Sequence, residues 1–108
     1  MNRDAADVLV LLSTFPPADA DRIAEALVTE RLAACVNLVG PVRSIYRWDG
    51  ALTKDTEQLA IIKTTAARRD ALAARLRELH PYQVPELLEL AVTGGLPAYL
   101  DWVRSETS

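Results

Sequence analysis

His80 is the one histidine of the 108-residue sequence, and its residue type points to metal chemistry. A neutral imidazole is a good ligand for copper or zinc. In the predicted sheet, Ser13 lies near the end of the first strand, next to the start of an antiparallel last strand that contains Glu86. We therefore predict His80 as a metal ligand, with Ser13 and Glu86 on the same rim. One imidazole with a hydroxyl and a carboxylate is a weak site, so the favoured alternative is a helix-terminating histidine that hydrogen-bonds locally.

Cys35 is the single cysteine, which excludes an internal disulfide and favours a reducing compartment. A thiolate would suit Cu(I), but Cys35 begins the second predicted strand, on the opposite rim from His80. The two side chains cannot share an ion within one chain. Apolar neighbours favour a structural, buried cysteine.

Lys63 interrupts the apolar run of the third predicted strand. Its ordinary interpretation is an outward-facing strand residue, because side chains alternate between the two faces of a sheet. The functional alternative places Lys63 in a cleft between subunits. There, with Glu86 and Tyr82, it would hold a small anion or pair with a carboxylate.

Tyr46 and Trp48 lie near a predicted hairpin tip. In a monomer Trp48 would be exposed to water, whereas tryptophan and tyrosine are enriched among the residues that dominate subunit contacts. We predict both at a subunit interface, with the core or a ligand platform as the alternative.

A long β-ribbon must carry these aromatic residues. The apolar pattern predicts one strand over Cys35–Trp48, interrupted at Gly40-Pro41, and a return strand over Leu52–Thr64. Asp49-Gly50 between them favours a type I′ turn, since both turn positions need positive φ. These arms exceed the usual ~5–6 residues of a strand. Such a projecting ribbon is a liability unless another chain covers it.

The remaining pattern predicts strands over residues 6–14 and 84–93 and helices between the strands. The first helix carries an apolar stripe from Ala20 to Leu32, and the second begins after Thr65 as N-cap and ends at His80-Pro81. Pro97 opens a short last helix. The order βαββαβ plus a C-terminal helix predicts one α+β domain over residues 1–108, a ferredoxin-like sandwich with an antiparallel sheet in the order 4-1-3-2.

Charge and motif content exclude several function classes. The formal net charge of −3 argues against a nucleic-acid binder and against docking on an anionic membrane. No apolar run approaches the roughly 20 residues of a membrane span. The N-terminus does not have the pattern of a signal peptide, so a cytoplasmic protein is expected. The common phosphate-loop, CxxC, HExxH and Ser/His/Asp motifs are absent, and we predict that the chain is not an enzyme.

Several strings, taken together in order, resemble the CutA (CutA1) divalent-cation tolerance family, and the resemblance covers nearly the whole chain. The strings are Thr14-Phe15-Pro16, Leu32-Ala33-Ala34-Cys35-Val36-Asn37, Tyr46-Arg47-Trp48-Asp49-Gly50, Ile62-Lys63-Thr64, His80-Pro81-Tyr82-Gln83-Val84-Pro85-Glu86 and Tyr99-Leu100-Asp101-Trp102.

This resemblance implies a homotrimer held by long hairpins, similar in architecture to PII signalling proteins. It also implies a role in metal tolerance with weak Cu²⁺ binding and no metal required for folding. Some family members have a cysteine and a second histidine at the positions of Ser13 and Leu79. This chain therefore keeps one of three copper-ligand candidates, His80.

Two functions follow as expectations. The first is a homotrimeric copper-tolerance protein with a weak copper-binding or sensor role. The alternative is a PII-like trimeric scaffold that binds a small anion or a protein partner, with incidental metal binding.

Overall fold

The computed structural model describes residues 5–108, and predictions that concern residues 1–4 lie outside the described part. Its elements follow in chain order: β1 (Val8–Phe15), α1 (Ala20–Thr29), β2 (Cys35–Trp48), β3 (Ala51–Thr65), α2 (Arg69–Leu79), β4 (Leu88–Ala91) and α3 (Pro97–Glu106). Within these residues, no helix is long and apolar enough to cross a membrane.

The sheet has the predicted ferredoxin-like strand order. The strands run β2-β3-β1-β4, and every neighbouring pair is antiparallel. At its centre, Leu12 of β1 lies opposite Ile61 of β3 on one side and Leu88 of β4 on the other. Strands β2 and β4 are therefore the two edges of the sheet.

The main core lies between the sheet and the pair α1 and α2. Its largest members are fully buried, and they are Leu11, Phe15, Ile23, Leu27, Ile62, Leu72 and Leu76. Burial of each such side chain contributes about 1.5–3 kcal/mol to stability. The helical spacing of Ile23 and Leu27, and of Leu72 and Leu76, places each pair on one helix face.

Helix α3 packs in a second, smaller cluster. This cluster contains Val8 and Ala34 from the sheet side and Leu100 and Val103 from the helix. Because Val8 and Leu11 are three positions apart on one strand, they point to opposite faces of the sheet. The sheet is thus covered by α1 and α2 on one face and partly by α3 on the other.

The predicted hairpin is present, with arms of 14 and 15 residues. Asp49 and Gly50 have φ angles of 49° and 77°, which confirms the expected positive-φ turn. The register between β2 and β3 shifts between Val39 and Val42, which confirms the irregularity predicted at Gly40-Pro41. At Gly40, where φ is 156°, a Cβ atom would lie 3.2 Å from the carbonyl oxygen of Glu57.

The last strand is shorter than predicted, because β4 covers only Leu88–Ala91 and not residues 84–93. Pro85 has no N–H to donate to a ladder. The backbone carbonyl of Glu86 instead accepts a hydrogen bond from Ser13 Oγ at 2.7 Å. Residues 82–86 are thereby free to form the wall of a cavity.

Two predicted helix ends were also wrong. Thr65 is not an N-cap: it ends β3, and α2 begins at Arg69 with Arg68 at the N-cap position. Helix α1 ends at Thr29, because Arg31 adopts a φ of 61° and reverses the chain. The N–H of Leu32 then donates to the carbonyl of Leu27, and Leu32 packs in the core.

Candidate functional site

His80 lies at the C-terminal end of α2, where it is nearly buried and hydrogen-bonded through both ring nitrogens. The backbone N–H of Tyr82 donates to Nδ1 at 3.1 Å. Since Nδ1 accepts, the proton of the neutral ring belongs on Nε2, which donates to the Thr14 carbonyl at 2.8 Å. The ring also packs edge-on against Phe15. His80 thus joins the end of β1 to the segment after α2.

The residues predicted to surround His80 lie close to it but use their polar groups elsewhere. Ser13 is fully buried, and its hydroxyl donates to the backbone carbonyl of Glu86. The Glu86 carboxylate lies in a cavity wall. Ser13, His80 and Glu86 therefore lie at the same end of the sheet, as the strand order predicts, but their side chains do not converge on one point.

A metal site of three or more His, Cys, Asp or Glu side chains does not occur among residues 5–108. A metal at His80 would have to displace the hydrogen bond to Thr14 or to Tyr82. Residues 5–108 of one chain therefore do not fit a chelated copper ion. Metal ligation by His80 stays a prediction, and it requires that the ring give up one of these two hydrogen bonds.

A cavity of about 590 Å³ lies between the β2–β3 hairpin and the segment after α2. The hairpin contributes Tyr46, Trp48 and Glu57, while the facing segment contributes Tyr82 and Glu86. It combines aromatic rings with carboxylates, so it can surround an apolar group and hold a polar one.

Tyr82 and Glu57 connect the two walls of this cavity. The hydroxyl of Tyr82 donates to Glu57 Oε2 at 3.0 Å, and Glu57 is only 3% exposed. Burial and then this hydrogen bond raise the pKa of the Tyr82 hydroxyl, because both disfavour the phenolate. The Glu86 side chain reaches solvent, yet desolvation, with the negative charge of Glu57 second, raises the pKa of its carboxyl group.

Tyr46 and Trp48, predicted at a subunit interface, are 36% and 47% exposed. The hydroxyl of Tyr46 donates to the carboxylate of Asp55 on the facing strand. This hydrogen bond, with smaller contributions from desolvation and from the charges of Asp55 and Glu57, raises the pKa of Tyr46 to about 12. Their interface role stays a prediction.

Lys63 lies apart from the other predicted cleft residues within one chain. Its ammonium group donates to Asn37 Oδ1 and lies 4.0 Å from Cys35 Sγ. Along β3, Lys63 is three residues from Ala60, which pairs with Ser13 near Glu86, and this spacing is about 10 Å. Grouping Lys63 with Glu86 and Tyr82 therefore needs a neighbouring chain, as the sequence-based prediction assumed.

Glu57 is the residue that sequence reasoning missed. Acids on a hairpin ordinarily indicate a solvated face, so its burial was not expected. The available signal was its spacing: Asp55 and Glu57 are two positions apart and point to the same face of the strand. Two carboxylates on one face of a ribbon that also carries aromatic residues indicate a surface where tyrosine hydroxyls can donate hydrogen bonds to acids.

Comparison with known proteins agrees with this geometry. The family model described as CutA1 divalent ion tolerance protein matches residues 8–106. This chain belongs to the CutA1 family. The divalent-cation tolerance protein CutA of Thermus thermophilus is 48% identical over 99 residues, which are 91% of this chain and 96% of that protein. Human protein CutA is 47% identical over 88 residues, which are 82% of this chain and 49% of that protein.

Solved CutA1-family structures share the fold. CutA from Xylella fastidiosa superposes with a TM-score of 0.91 at 42% identity, covering 94% of this chain and 99% of that chain. The PII-like protein CutA from Nostoc sp. PCC 7120 gives a TM-score of 0.88 at 38% identity, with 93% and 98% covered. The chain therefore belongs to a family that is described by divalent-ion tolerance, and it has a ferredoxin-like α+β fold.

Proposed function

We propose that this chain is a cytoplasmic, non-enzymatic, homotrimeric tolerance protein with a sensor or weak copper-binding role. The observation that carries the proposal is the family match over residues 8–106, taken with the long β2–β3 hairpin. A sensor acts by binding and assembly, so the exposed parts of the fold should carry its function.

The hairpin supports assembly because its apolar side chains are exposed. Ile45 is 60% exposed and Leu52 72%, and Trp48 lies between them near the turn. Leu88 and Leu90 are also exposed, on the opposite edge strand β4. Edge strands with exposed apolar residues favour pairing with another chain. Copies that pair edge to edge would close the ring that a trimer needs.

Sedimentation equilibrium tests the trimer. The wild-type protein should sediment at three times the chain mass, whereas Trp48→Arg should shift the equilibrium toward single chains. Loss of a central aromatic contact typically weakens association by about 2 kcal/mol or more, roughly 30-fold. Val28→Arg is the matched control, because Val28 is 41% exposed on α1 and receives the same charge. A folded wild-type single chain at micromolar concentration would contradict the proposal.

Copper binding is proposed to be weak and to involve His80, with no metal required for folding. Calorimetric titration of Cu²⁺ should give a lower affinity for His80→Ala than for wild type, since the imidazole is the best ligand available. Circular dichroism of both proteins checks that the replaced ring has not unfolded the segment after α2. Equal affinities would remove His80 from the copper site.

The second candidate is a PII-like scaffold that binds a small anion or a partner protein through Lys63. The lack of a chelating cluster in residues 5–108 favours it, as does the position of the Lys63 ammonium group on a polar patch with Asn37 and Cys35. A bound ligand raises the melting temperature. Thermal shift by a small anion, without a shift by Cu²⁺, would favour this candidate over copper sensing.

A further inference from the structure

The β2–β3 hairpin has two faces of opposite charge. Side chains alternate between the two faces along each strand, and residues directly opposite each other in the register share a face. Ile45 lies opposite Lys54, and Arg47 lies opposite Leu52. One face therefore carries the cations of Arg43, Arg47 and Lys54, with Ile45 and Leu52 among them. We call these five residues the basic face.

The opposite face of the hairpin carries acids and aromatic rings. Tyr46 and Trp48 on β2 and Asp55 and Glu57 on β3 alternate with the residues of the basic face. The Tyr46 hydroxyl donates to the Asp55 carboxylate on this side. We call these four residues the acidic face. Among residues 5–108, neither of its carboxylates forms an ion pair with a basic residue.

The basic face is exposed along its whole length. Arg43, Arg47 and Lys54 are all exposed, and so are the apolar side chains of Ile45 and Leu52. Within the part of the chain that the structure describes, the three basic side chains form no ion pair. Cations beside exposed apolar groups favour contact with a surface that is both acidic and apolar. The acidic face of the same hairpin has this chemistry, but it points the other way.

Opposite charge on the two faces restricts the symmetry of a contact between hairpins. A two-fold axis places the same surface of both copies in contact, so acid would meet acid or base would meet base. Like charges placed together at an interface are costly. A contact of the basic face with the acidic face is head-to-tail, and such contacts form a closed ring when the rotation between copies permits it. The charge pattern therefore favours a ring of copies over a two-fold dimer.

We propose that the basic face of one hairpin binds the acidic face of the hairpin in the next copy of this chain. The guanidinium and ammonium groups donate to the neighbouring copy's Asp55 and Glu57, while Ile45 and Leu52 pack against its aromatic rings. The proposal rests on the homotrimer proposed above. It adds the residues that form the contact, the head-to-tail direction of that contact and the reason why a two-fold dimer is disfavoured.

Charge reversal on each face tests the contact by sedimentation equilibrium. A chain with both Arg47→Glu and Lys54→Glu should associate about tenfold more weakly or worse, because it places acids against acids. Asp55→Lys should weaken association to a similar extent by placing cations against cations. All three changes in one chain restore opposite charges across every contact. This triple variant should therefore recover most of the wild-type association.

Arg77→Glu on α2 is the matched control. Arg77 is exposed, and it forms no ion pair among residues 5–108. The variant makes the same change of charge away from the hairpin and should leave association unchanged. Circular dichroism checks that each variant is folded. A further measurement uses the wild-type protein alone, whose association should weaken as sodium chloride is added, since salt screens charges between subunits.

Two results would overturn this contact while leaving a wild-type trimer in place. One is unchanged association of the variant with Arg47→Glu and Lys54→Glu, which would mean that these cations only protect a projecting hairpin from aggregation. The other is a triple variant that associates no better than the variants of either face, which would mean that the two faces contact different surfaces. A folded wild-type single chain would contradict the trimer itself, and the contact with it.

Discussion

Individual residues in this protein differ most in whether their polar atoms already form hydrogen bonds within the chain. His80, the residue that sequence alone would select for metal binding, has both ring nitrogens hydrogen-bonded. Glu57, which sequence alone would assign to solvent, is buried, and among residues 5–108 the Tyr82 hydroxyl is the one donor to its carboxylate. The sequence predicts residue type and approximate position. It cannot show which lone pairs remain free, because that depends on backbone groups such as the Thr14 carbonyl and the Tyr82 N–H.

Glu86 provides a pH test of the cavity's potential. Its folded-state pKa is raised above the ordinary value of 4.5, so the folded protein holds this proton more tightly than the unfolded chain. The contribution is fully present below pH 4.5, and it is lost as the pH rises through the raised pKa. Glu86→Gln should therefore be more stable relative to wild type above that window than below it.

Urea unfolding of Glu86→Gln at a series of pH values measures this difference. The solvent-reaching position of Glu86 keeps the effect small, so the comparison should use Glu25→Gln, an acid on the outer face of α1. A stability difference between Glu86→Gln and wild type that does not change with pH would show that Glu86 titrates normally.

The secondary-structure elements follow the sequence most closely where local chemistry specifies them. The hairpin was predicted to within one residue at each end, because Asp49-Gly50 fixes the turn and the arms carry a clear apolar pattern. Strand β4 was predicted too long, since the pattern of Val84 and Leu87 is equally compatible with a loop. Tertiary contact with Ser13 decides that segment, and no local pattern encodes it.

Helix α3 is held at the sheet by an ion pair that should control its local stability. Arg104 Nε donates to Asp7 Oδ2 and its Nη2 donates to Oδ1, both at 2.9 Å. The hydrogen bond from Arg104 lowers the pKa of Asp7 below 3.8, so this contribution is present above that pH and lost as the pH falls further.

Arg104→Gln should speed amide hydrogen exchange in α3 without changing exchange in α1, because it removes one attachment of α3 to the turn before β1. The control is Arg22→Gln, which breaks an ion pair between α1 and the residue at its N-cap position, Asp19. Equal exchange in α3 for both variants would mean that the other contacts of the helix, such as the packing of Leu100 and Val103 and the hydrogen bond from Arg31 to the Ser105 carbonyl, hold it without this ion pair.

The molecule as a whole is elongated because of its hairpin. Its principal extents are 45 × 25 × 22 Å, and the long axis is about twice the others. Two edge strands remain open along the described sheet, with exposed leucine residues on β4 and exposed aromatic residues on β2. The ferredoxin-like order could be read from the chain, since right-handed crossovers leave few alternatives. Subunit number could not, because it depends on how these edges meet in space.

The local pairing of β2 with β3 has a consequence for synthesis in the cell. Strands joined by a two-residue turn can pair within microseconds, well before a ribosome has synthesised β4 and α3. Growing chains on one messenger would therefore display their apolar ribbons to each other early. The same surface that suits an ordered assembly would then favour precipitation whenever translation is slow to supply β4 and α3.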